Sequence, residues 1–500
     1  MNEIGFGSLG GILPEIMLLI GGLLILLLDM AQGKERERGS GFMAVTVIFL
    51  IIGLVGVILQ LGMEPYVALS MVAVDPFATF LKIVVYTGMT LVAIGGGSYI
   101  NRRATSGTGE FWALFLFVTL AMSVTVSANN LLLLFLGIEF LSITSYILTG
   151  YLREDRRSAE AGVKYFLYGS VASALMLYGM SLLYGASGSL SLQAIGEALT
   201  DATDLENIIL PAALLTLVGF GFKASLAPFH QWAPDIYDGA PTPITAYLST
   251  ASKTVGFAVM ARVLIVALGA YRVDWVPILA GLSILTMTVG NLMALRQTSV
   301  KRMLAYSSVA QAGYVLMGLT ALVSGGAADI TVLGMNGLNG LLLYLFAYIF
   351  TNIGAFMVVL AVEEDTGSHE LEAYARLGQR SPGLAWAMFI FLLSLTGIPL
   401  TGGFVGKFYV FGAAVQHQYF WLAGIGLINA GIAAFYYLNI VRYMFFAPDG
   451  EYIGPARVSV PVSVQVIVLL CVGATIWIGL YPPNIIEWAN DASRQLLAML

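Results

Sequence analysis

Residues 219–243, "GFGFKASLAPFHQWAPDIYDGAPTP", indicate the fold class of the chain. They continue the apolar run "IILPAALLTLV" (208–218), so Lys223 lies where a membrane helix is expected to run. Pro228 follows five residues later, and a proline without a backbone N–H should break that helix. Free carbonyls at membrane depth are tolerated only beside protein or a wet cavity. The stretch therefore predicts a membrane protein with a charged group at a helix break.

Apolar residues dominate the whole chain of 500 residues, with 58% hydrophobic and only 10% charged residues. A soluble chain of this length needs far more charge to cover its surface. Apolar runs of about 20 residues recur from end to end, which predicts an all-α polytopic membrane protein rather than a β-barrel. The net charge of −6, without a basic stripe, argues against a nucleic-acid partner. The single cysteine, Cys471, excludes an intrachain disulfide and a four-cysteine iron–sulfur cluster.

The apolar pattern predicts fourteen transmembrane helices joined by short loops. They lie near 11–30, 41–61, 74–98, 111–128, 130–150, 161–184, 209–230, 242–268, 274–294, 302–323, 334–361, 383–410, 418–444 and 461–481.

The distribution of basic residues supports this map. The odd-numbered connections carry 15 of the 23 Lys and Arg, and the even connections with both tails carry only Arg272 and Arg494. By the positive-inside rule, the odd connections face the cytoplasm and both termini lie on the opposite side. The 15 residues are Lys34, Arg36, Arg38, Arg102, Arg103, Arg153, Arg156, Arg157, Arg296, Lys301, Arg302, Arg376, Arg380, Arg442 and Arg457.

Charged residues inside the predicted spans are the candidate functional residues. A central Lys or Asp costs about 2.5–3.5 kcal/mol on insertion scales, so such residues mark pathways by default. The candidates are Glu139 in the fifth span, Lys164 in the sixth, Lys223 in the seventh, Lys253 in the eighth and Lys407 in the twelfth. Further polar faces lie between them, with Ser307, Gln311 and Tyr314 in the tenth span and Tyr344, Tyr348 and Thr351 in the eleventh.

The seventh and twelfth spans share one pattern. Pro399, Gly402 and Gly403 interrupt the twelfth span just before Lys407, as Pro228 interrupts the seventh after Lys223. The two spans are five helices apart, so they run in opposite directions. This is the sequence pattern of an inverted repeat with its working sites at the broken helices.

Structural roles compete with functional ones at several positions. Lys164 is close to a helix end and could extend to the interface. Arg262 and Lys82 could do the same or form structural pairs, with Asp75 the candidate partner of Lys82. Glu139 could form a static ion pair with a lysine. His230 could satisfy the freed carbonyls, although we favour a proton relay.

Two other patterns carry no site. The stretch "GFGSLG" (5–10) matches G-x-G-x-x-G, but no strand precedes it, so it does not predict a dinucleotide site. His230, His369 and His417 lie in separate elements and do not predict a metal site.

As a set, the motifs resemble the antiporter-like membrane subunits of complex I. "GFKASLAPFHQWAPDIYDGAPTPITAYLSTASK" is similar to the family's signature across helices seven and eight. "NNLLLLFLGIEFLSITSYILTGY", "KYFLYGSVASALMLYG", "SVKRMLAYSSVAQAGY" and "GIPLTGGFVGKFYVF" resemble the N subunit in particular. The resemblance runs from about residue 10 to 480.

The resemblance implies fourteen helices, with helices 4–8 and 9–13 as inverted repeats. The domains are then residues 1–110 (helices 1–3), 111–268 (repeat one), 274–444 (repeat two) and 445–500 (helix 14). It also implies that Glu139, Lys223, Lys253 and Lys407 form a proton relay, with Lys164 and His230 as further members.

The resemblance further implies a subunit of a proton-translocating NADH:quinone oxidoreductase that holds no redox centre. FMN, iron–sulfur clusters and quinone are expected in partner subunits, and subunits of the M, K and J types as neighbours. The expected location is a bacterial inner membrane, or a thylakoid membrane. The alternatives are a subunit of a multisubunit cation/proton antiporter of the same fold, a small-solute permease and a passive membrane scaffold.

The map predicts the sidedness of the loops. Accessibility tags within "GKERERGS" (33–40) and "YLREDRRSAE" (151–160) should react from the cytoplasmic side, because these connections are rich in basic residues. Tags at either terminus should react from the opposite side. A terminus labelled from the cytoplasm would contradict the predicted map.

Overall fold

The computed structural model describes residues 10–32, 40–104, 107–200, 206–322, 334–447 and 458–499. These ranges are mainly helical, which confirms the predicted all-α membrane class. Within them, twelve helices are long and apolar enough to cross a membrane. Of the fourteen predicted spans, the tenth and the interrupted twelfth are outside this set. Lys34, Arg36, Arg38, Arg457 and residues 5–9 of "GFGSLG" lie outside the described ranges.

The first half of the chain contains the N-terminal helices, one small hairpin and the first broken helices. The two strands of the hairpin are antiparallel, with Tyr66 opposite Val74. The elements are α1 (Leu13–Gln32), α2 (Ser40–Ile58), β1 (Tyr66–Ala68), β2 (Val72–Val74), α3 (Pro76–Arg103), α4 (Thr108–Val126), α5 (Leu131–Thr149), α6 (Arg156–Ser187), α7 (Leu192–Thr200), α8 (Glu206–Ala224), α9 (Trp232–Gly239), α10 (Thr242–Ser249) and α11 (Ala251–Arg262), which continues as a π-helix (Val263–Ala267).

The second half is likewise helical in its described part. It consists of a 3₁₀ turn (Gly269–Tyr271), α12 (Arg272–Ala294), α13 (Val300–Thr320), α14 (Leu338–Thr366), a second 3₁₀ turn (Leu371–Tyr374), α15 (Leu377–Arg380), α16 (Pro382–Thr396), α17 (Gly402–Gln416), α18 (Phe420–Phe446), α19 (Val462–Leu480) and α20 (Pro483–Leu497).

Several helices are additional to the predicted spans. The short helices α7 and α9 lie in connections, and α20 follows the last predicted span. The α20 helix packs against α3 and α14. The rings of Trp488 and Phe80 are 4.1 Å apart, and Asn336 donates a hydrogen bond to Ser493 at 2.8 Å. The chain therefore returns to the bundle after α19.

The core of the bundle lies around the eighth and eleventh predicted spans. Every residue from Thr242 to Ala267 is buried, and α14 is buried over nearly its whole length. In contrast, α2 and α19 expose many apolar side chains, as helices that face lipid do. The eighth span, which carries Lys253, is thus the most enclosed of the twelve candidate spans in the described part of the chain.

Two buried ion pairs fix α3 to its neighbours. Arg262 donates to both carboxylate oxygens of Asp75, at 2.7 and 3.0 Å. Lys82 pairs instead with Glu15, at 2.7 Å. The expectation that Asp75 pairs with Lys82 was therefore wrong. A guanidinium matches a carboxylate bidentately, and Arg262 comes from the adjacent α11, which sequence spacing within one helix does not show.

Arg262→Met should lower the free energy of unfolding by about 3–5 kcal/mol, because it leaves the Asp75 carboxylate buried and unpaired. Adding Asp75→Asn should recover part of this loss, since the two residues are coupled. Reversible unfolding in mixed micelles measures both. Arg494→Gln is the control, because its pair with Asp491 is exposed and long at 3.8 Å. Equal effects of Arg262→Met and the control would contradict a stabilising role for the pair.

Candidate functional site

The first helix break is present but begins before the proline. The helix α8 ends at Ala224, and Ser225 adopts a left-handed backbone with φ of 58°, so Lys223 lies in the last helical turn. The Lys223 side chain is buried, and its amine donates a hydrogen bond to Ser142 Oγ at 3.1 Å. The carbonyl of Phe222 accepts hydrogen bonds from the Ser225 N–H and from the Trp232 indole, both at 3.0 Å.

Glu139 and Lys223 interact across a helical turn. Among the described residues, they form no direct ion pair; Glu139 accepts a hydrogen bond from Ser173 on α6. Ser142, which binds Lys223, lies three residues after Glu139 and therefore on the same face of α5. Glu139 is close enough for its charge to act on the amine. The two charges are thus coupled through space, with a serine as the contact of the lysine.

Lys253 lies just after a helix break that the sequence does not reveal. Thr250 separates α10 from α11 with φ of −123° and ψ of −83°, and no proline or glycine is involved. Its hydroxyl returns to the Ala246 carbonyl at 2.7 Å. The only sequence signal is the hydroxyl-rich run "LSTASKT" (248–254), since such side chains compete for backbone carbonyls. Asn352 of α14 donates to Ser249 at 2.7 Å and holds this break.

The amine of Lys253 joins the eighth span to the tenth. It donates hydrogen bonds to Ser308 O at 2.7 Å and to Ser308 Oγ at 2.8 Å, both on α13. The side chain is buried. Lys253 is therefore held by a carbonyl and a hydroxyl at the centre of the bundle.

Lys407 lies after the second predicted break and closes it. The helix α16 ends at Thr396, with Gly397 in a left-handed conformation. The Lys407 amine donates to the freed carbonyls of Leu395 at 2.7 Å and Thr396 at 2.9 Å. Gly403 is required here, because a Cβ would lie 2.0 Å from the Ser394 carbonyl oxygen. Lys407 thus follows the break in the twelfth span and binds the carbonyls before it, whereas Lys223 precedes the break in the seventh span.

A polar line runs between Lys253 and Lys407. The Tyr348 hydroxyl lies beside Ser308, and the Gln311 amide donates to Leu395 O at 2.9 Å, the carbonyl that Lys407 also binds. Tyr344 donates to the Gln311 side chain. Between these groups lies a cavity of about 10 Å³, which has room for about one water. Its lining consists of Gln311, Tyr344, Tyr348, Thr351, Ser394, Leu395 and Gly403.

Lys164 and His230 occupy different settings. The Lys164 side chain is 41% exposed and pairs with Glu160 at 2.7 Å and Asp235 at 3.6 Å, away from the buried line. His230 lies in the loop after the first break, near enough to Lys253 to feel its charge. Its Nδ1 is buried without a hydrogen-bond partner in the described part of the chain. The structure therefore brings His230, but not Lys164, close to the line of lysines.

A second group of charges gathers where the odd-numbered connections meet, and the motifs of the sequence did not predict it. Glu363 at the end of α14 accepts hydrogen bonds from Tyr99 at 3.2 Å, Arg103 at 3.4 Å and Thr242. Lys301, counted among the loop cations, is only 2% exposed. It donates to Ala240 O at 2.8 Å. The one sequence signal was the acidic run 363–365 at a helix end.

The fold and the three lysines at broken or ending helices define the class of antiporter-like membrane subunits. Residues 128–433 match the family model described as NADH:quinone oxidoreductase/Mrp antiporter, TM. NADH-quinone oxidoreductase subunit N of Trichlorobacter lovleyi is 39% identical over 97% of each chain. The chain belongs to the family of NADH-quinone oxidoreductase subunit N.

Two solved structures share the fold over nearly the whole chain. A chain of respiratory complex I from Thermus thermophilus with bound aureothin is 30% identical, with a TM-score of 0.77 over 95% of this chain and 98% of that one. A chain of the Mrp complex from Dietzia sp. is 19% identical, with a TM-score of 0.83 over 98% and 99% of the two chains, which shows a shared fold alone.

Proposed function

We propose that the chain is the proton-translocating N-type membrane subunit of a complex I-type NADH:quinone oxidoreductase. The observation that carries the proposal is the setting of Lys253. This amine is buried at the centre of the bundle and is bound by Ser308 O and Ser308 Oγ. Burial disfavours the charged form of an amine, so a lysine held this way exchanges a proton more readily than one in a tight ion pair.

The contacts define an order for the relay. Glu139 acts on Lys223 across one turn of α5, so a change in their separation alters how firmly Lys223 holds its proton. His230 lies near Lys253 and supplies an imidazole on the way to it. Ser308 and Tyr348 continue the line towards Lys407. Each hydroxyl releases one proton as it accepts another, so no net charge remains behind.

Partners and location follow from the same proposal. The redox groups, FMN and iron–sulfur clusters, together with the quinone site, belong to other subunits of the complex. Subunits of the M, K and J types are the expected membrane neighbours. We place the complex in a bacterial inner membrane, or in a thylakoid membrane, with both termini on the non-cytoplasmic side. Lys164, which is exposed in the isolated chain, then faces a neighbour or the membrane interface.

The nearest alternative is a subunit of a multisubunit cation/proton antiporter. A site lined by oxygen atoms that could bind a metal cation would favour the antiporter. The buried polar groups instead include the amines of three lysines, which are better suited to carry protons than to bind a metal cation. The relatives at about 40% identity also carry the N-subunit name. Co-purification decides between the two: quinone reductase subunits support the proposal, and antiporter subunits alone contradict it.

Lys223→Ala should lower coupled proton pumping by at least about tenfold, because a positioned proton-transfer group contributes about 10²–10⁴-fold. Lys223→Arg should also be poor, since a guanidinium stays protonated. Proton uptake by membrane vesicles with equal amounts of assembled complex measures both. Near-normal pumping by a well-assembled Lys223→Ala variant would remove Lys223 from the pathway.

Glu139→Gln should slow pumping, and Glu139→Asp should retain part of the activity. If Glu139 acts through Lys223, the double variant Glu139→Gln/Lys223→Ala should lose little more than the worse single variant. Ser170→Ala is a control on α6. Within the described residues the exposed Ser170 hydroxyl donates to Phe166 O, whereas Ser173 donates to Glu139. Fully additive losses in the cycle would show that Glu139 acts independently of Lys223.

A further inference from the structure

The cluster around Lys301 has no role in the relay described above. We propose that Lys301, Glu363, Asp238 and His369 form a proton-loading site, which takes protons from the cytoplasmic solution and delivers them to Lys253. The inference rests on the proposed proton-translocating function and deepens it. It concerns residues at the meeting point of the odd-numbered connections, where the basic residues place the cytoplasm.

Lys301 lies on α13, the helix that also carries the binding partner of Lys253. Lys301 and Ser308 are seven residues apart, so they lie on the same face of the helix, separated by about 10 Å along its axis. Ser308 binds Lys253 through its carbonyl and its hydroxyl. A proton that reaches Lys301 is therefore two helical turns from the central lysine.

The segment from Tyr237 to Ala240 lies alongside α13 between Lys301 and Ser308. Ala240 O accepts the hydrogen bond from Lys301, at 2.8 Å. The Tyr237 hydroxyl, three residues earlier, lies beside Ser308 and Ser225, and its ring centroid is 6.0 Å from the Lys253 amine. This hydroxyl is buried and has no hydrogen-bond partner within the described residues. It is thus available to carry a proton between the two lysines.

Within the described residues, Lys301 forms no close ion pair. Its nearest carboxylate oxygen, on Glu363, is 3.9 Å away. The Glu363 carboxylate also accepts hydrogen bonds from Tyr99, Arg103 and Thr242. The charged and titratable groups that face Lys301 from the surrounding elements are Glu363 on α14, Asp238 on α9, Arg103 on α3 and Asp155 at the start of α6. Two nearby carboxylates keep the amine able to gain a proton, and burial keeps it able to lose one.

His369 and Asp238 connect this amine to solvent. His369 Nε2 is 3.1 Å from Asp238 Oδ1, and their side chains are 11% and 22% exposed. Burial opposes ionisation of Asp238, but the hydrogen bond and charge of His369, together with Lys301 and Arg302, lower the pKa of its carboxyl. Ser299 also donates to Asp238, at 3.2 Å. An imidazole beside a carboxylate at a partly exposed rim can exchange protons with water.

The transfer balances at every step. His369 takes a proton from water at one ring nitrogen and releases one through the pair with Asp238. Lys301 accepts a proton as an amine and releases it as an ammonium. The Tyr237 and Ser308 hydroxyls each give up one proton as they accept one, and Lys253 ends one proton richer. No oxidant, reductant or other reactant is required.

The test measures initial proton uptake by vesicles that expose the cytoplasmic face of the assembled complex, as a function of external pH. Lys301→Met and Glu363→Gln should pump at about half the normal rate or better near pH 6, and at least about tenfold more slowly near pH 8.5, because a relay matters most when protons are scarce. Glu363→Asp should restore part of the alkaline rate. Glu364→Gln is the matched control, since the adjacent carboxylate points to the exposed Arg102 and should leave the profile unchanged.

If the variants lose pumping rate by the same factor at every pH, the cluster only holds helix ends together and the proposal is wrong. An unchanged pumping rate at every pH would also overturn the proposal. If the Lys301→Met and Glu363→Gln complexes do not assemble, His369→Gln at the partly exposed rim is tested instead. It should likewise slow pumping near pH 8.5 far more than near pH 6. Lys253→Ala, measured alongside, separates the two claims. Normal pumping by Lys253→Ala would contradict the proposed function itself. If Lys253→Ala loses pumping but Lys301→Met and Glu363→Gln keep the normal dependence of pumping on pH, the loading site alone is contradicted.

Discussion

The burial of amines without a closely paired carboxylate is the constraint on which the rest of the structure depends. An ammonium at membrane depth needs acceptors, and each carbonyl of a regular helix already accepts one N–H, so the amine must use a carbonyl freed at a helix end, a hydroxyl or the second lone pair of a carbonyl. Lys407 obtains its acceptors from the end of α16, whereas Lys253 obtains them from the carbonyl and hydroxyl of Ser308 within the unbroken α13. At Lys407 the broken helix and the buried lysine are therefore two aspects of one arrangement. Gly403 is part of it as well, since it lets α17 approach the freed carbonyls.

The same constraint explains what the sequence could predict. Apolar length revealed the spans, and proline with glycine revealed the breaks near Lys223 and Lys407, because these residues alter the backbone directly. The break at Thr250 was not predicted, since it depends on hydroxyls that return to carbonyls and on Asn352 from a distant helix. The partner of Asp75 was wrong for a related reason: the competing guanidinium comes from α11, which only the tertiary fold brings near. Residue type predicts which groups need a partner, and packing selects the partner.

Counting basic residues in the connections predicts the direction of the chain, but it does not reveal the surroundings of Lys301. Lys301 was counted among the loop cations from which the direction of the chain was predicted. The structure shows in addition that it is buried, with Glu363 near it and Ser308 two turns further along the same helix face. A loop cation and a buried titratable group differ in their surroundings and not in their sequence pattern. The same residue can therefore indicate topology and take part in proton transfer.

The central claim is that the lysines act as one connected pathway and not as separate charges. Gln311 tests this most directly, because it binds the Leu395 carbonyl shared with Lys407 and lines the cavity towards Tyr348, yet it carries no charge. The decisive measurement is the rate of proton translocation by Gln311→Leu in vesicles with a normal amount of assembled complex. A connected pathway predicts a large loss of translocation with every lysine still in place. Translocation at the normal rate would contradict a connected pathway through this part of the bundle.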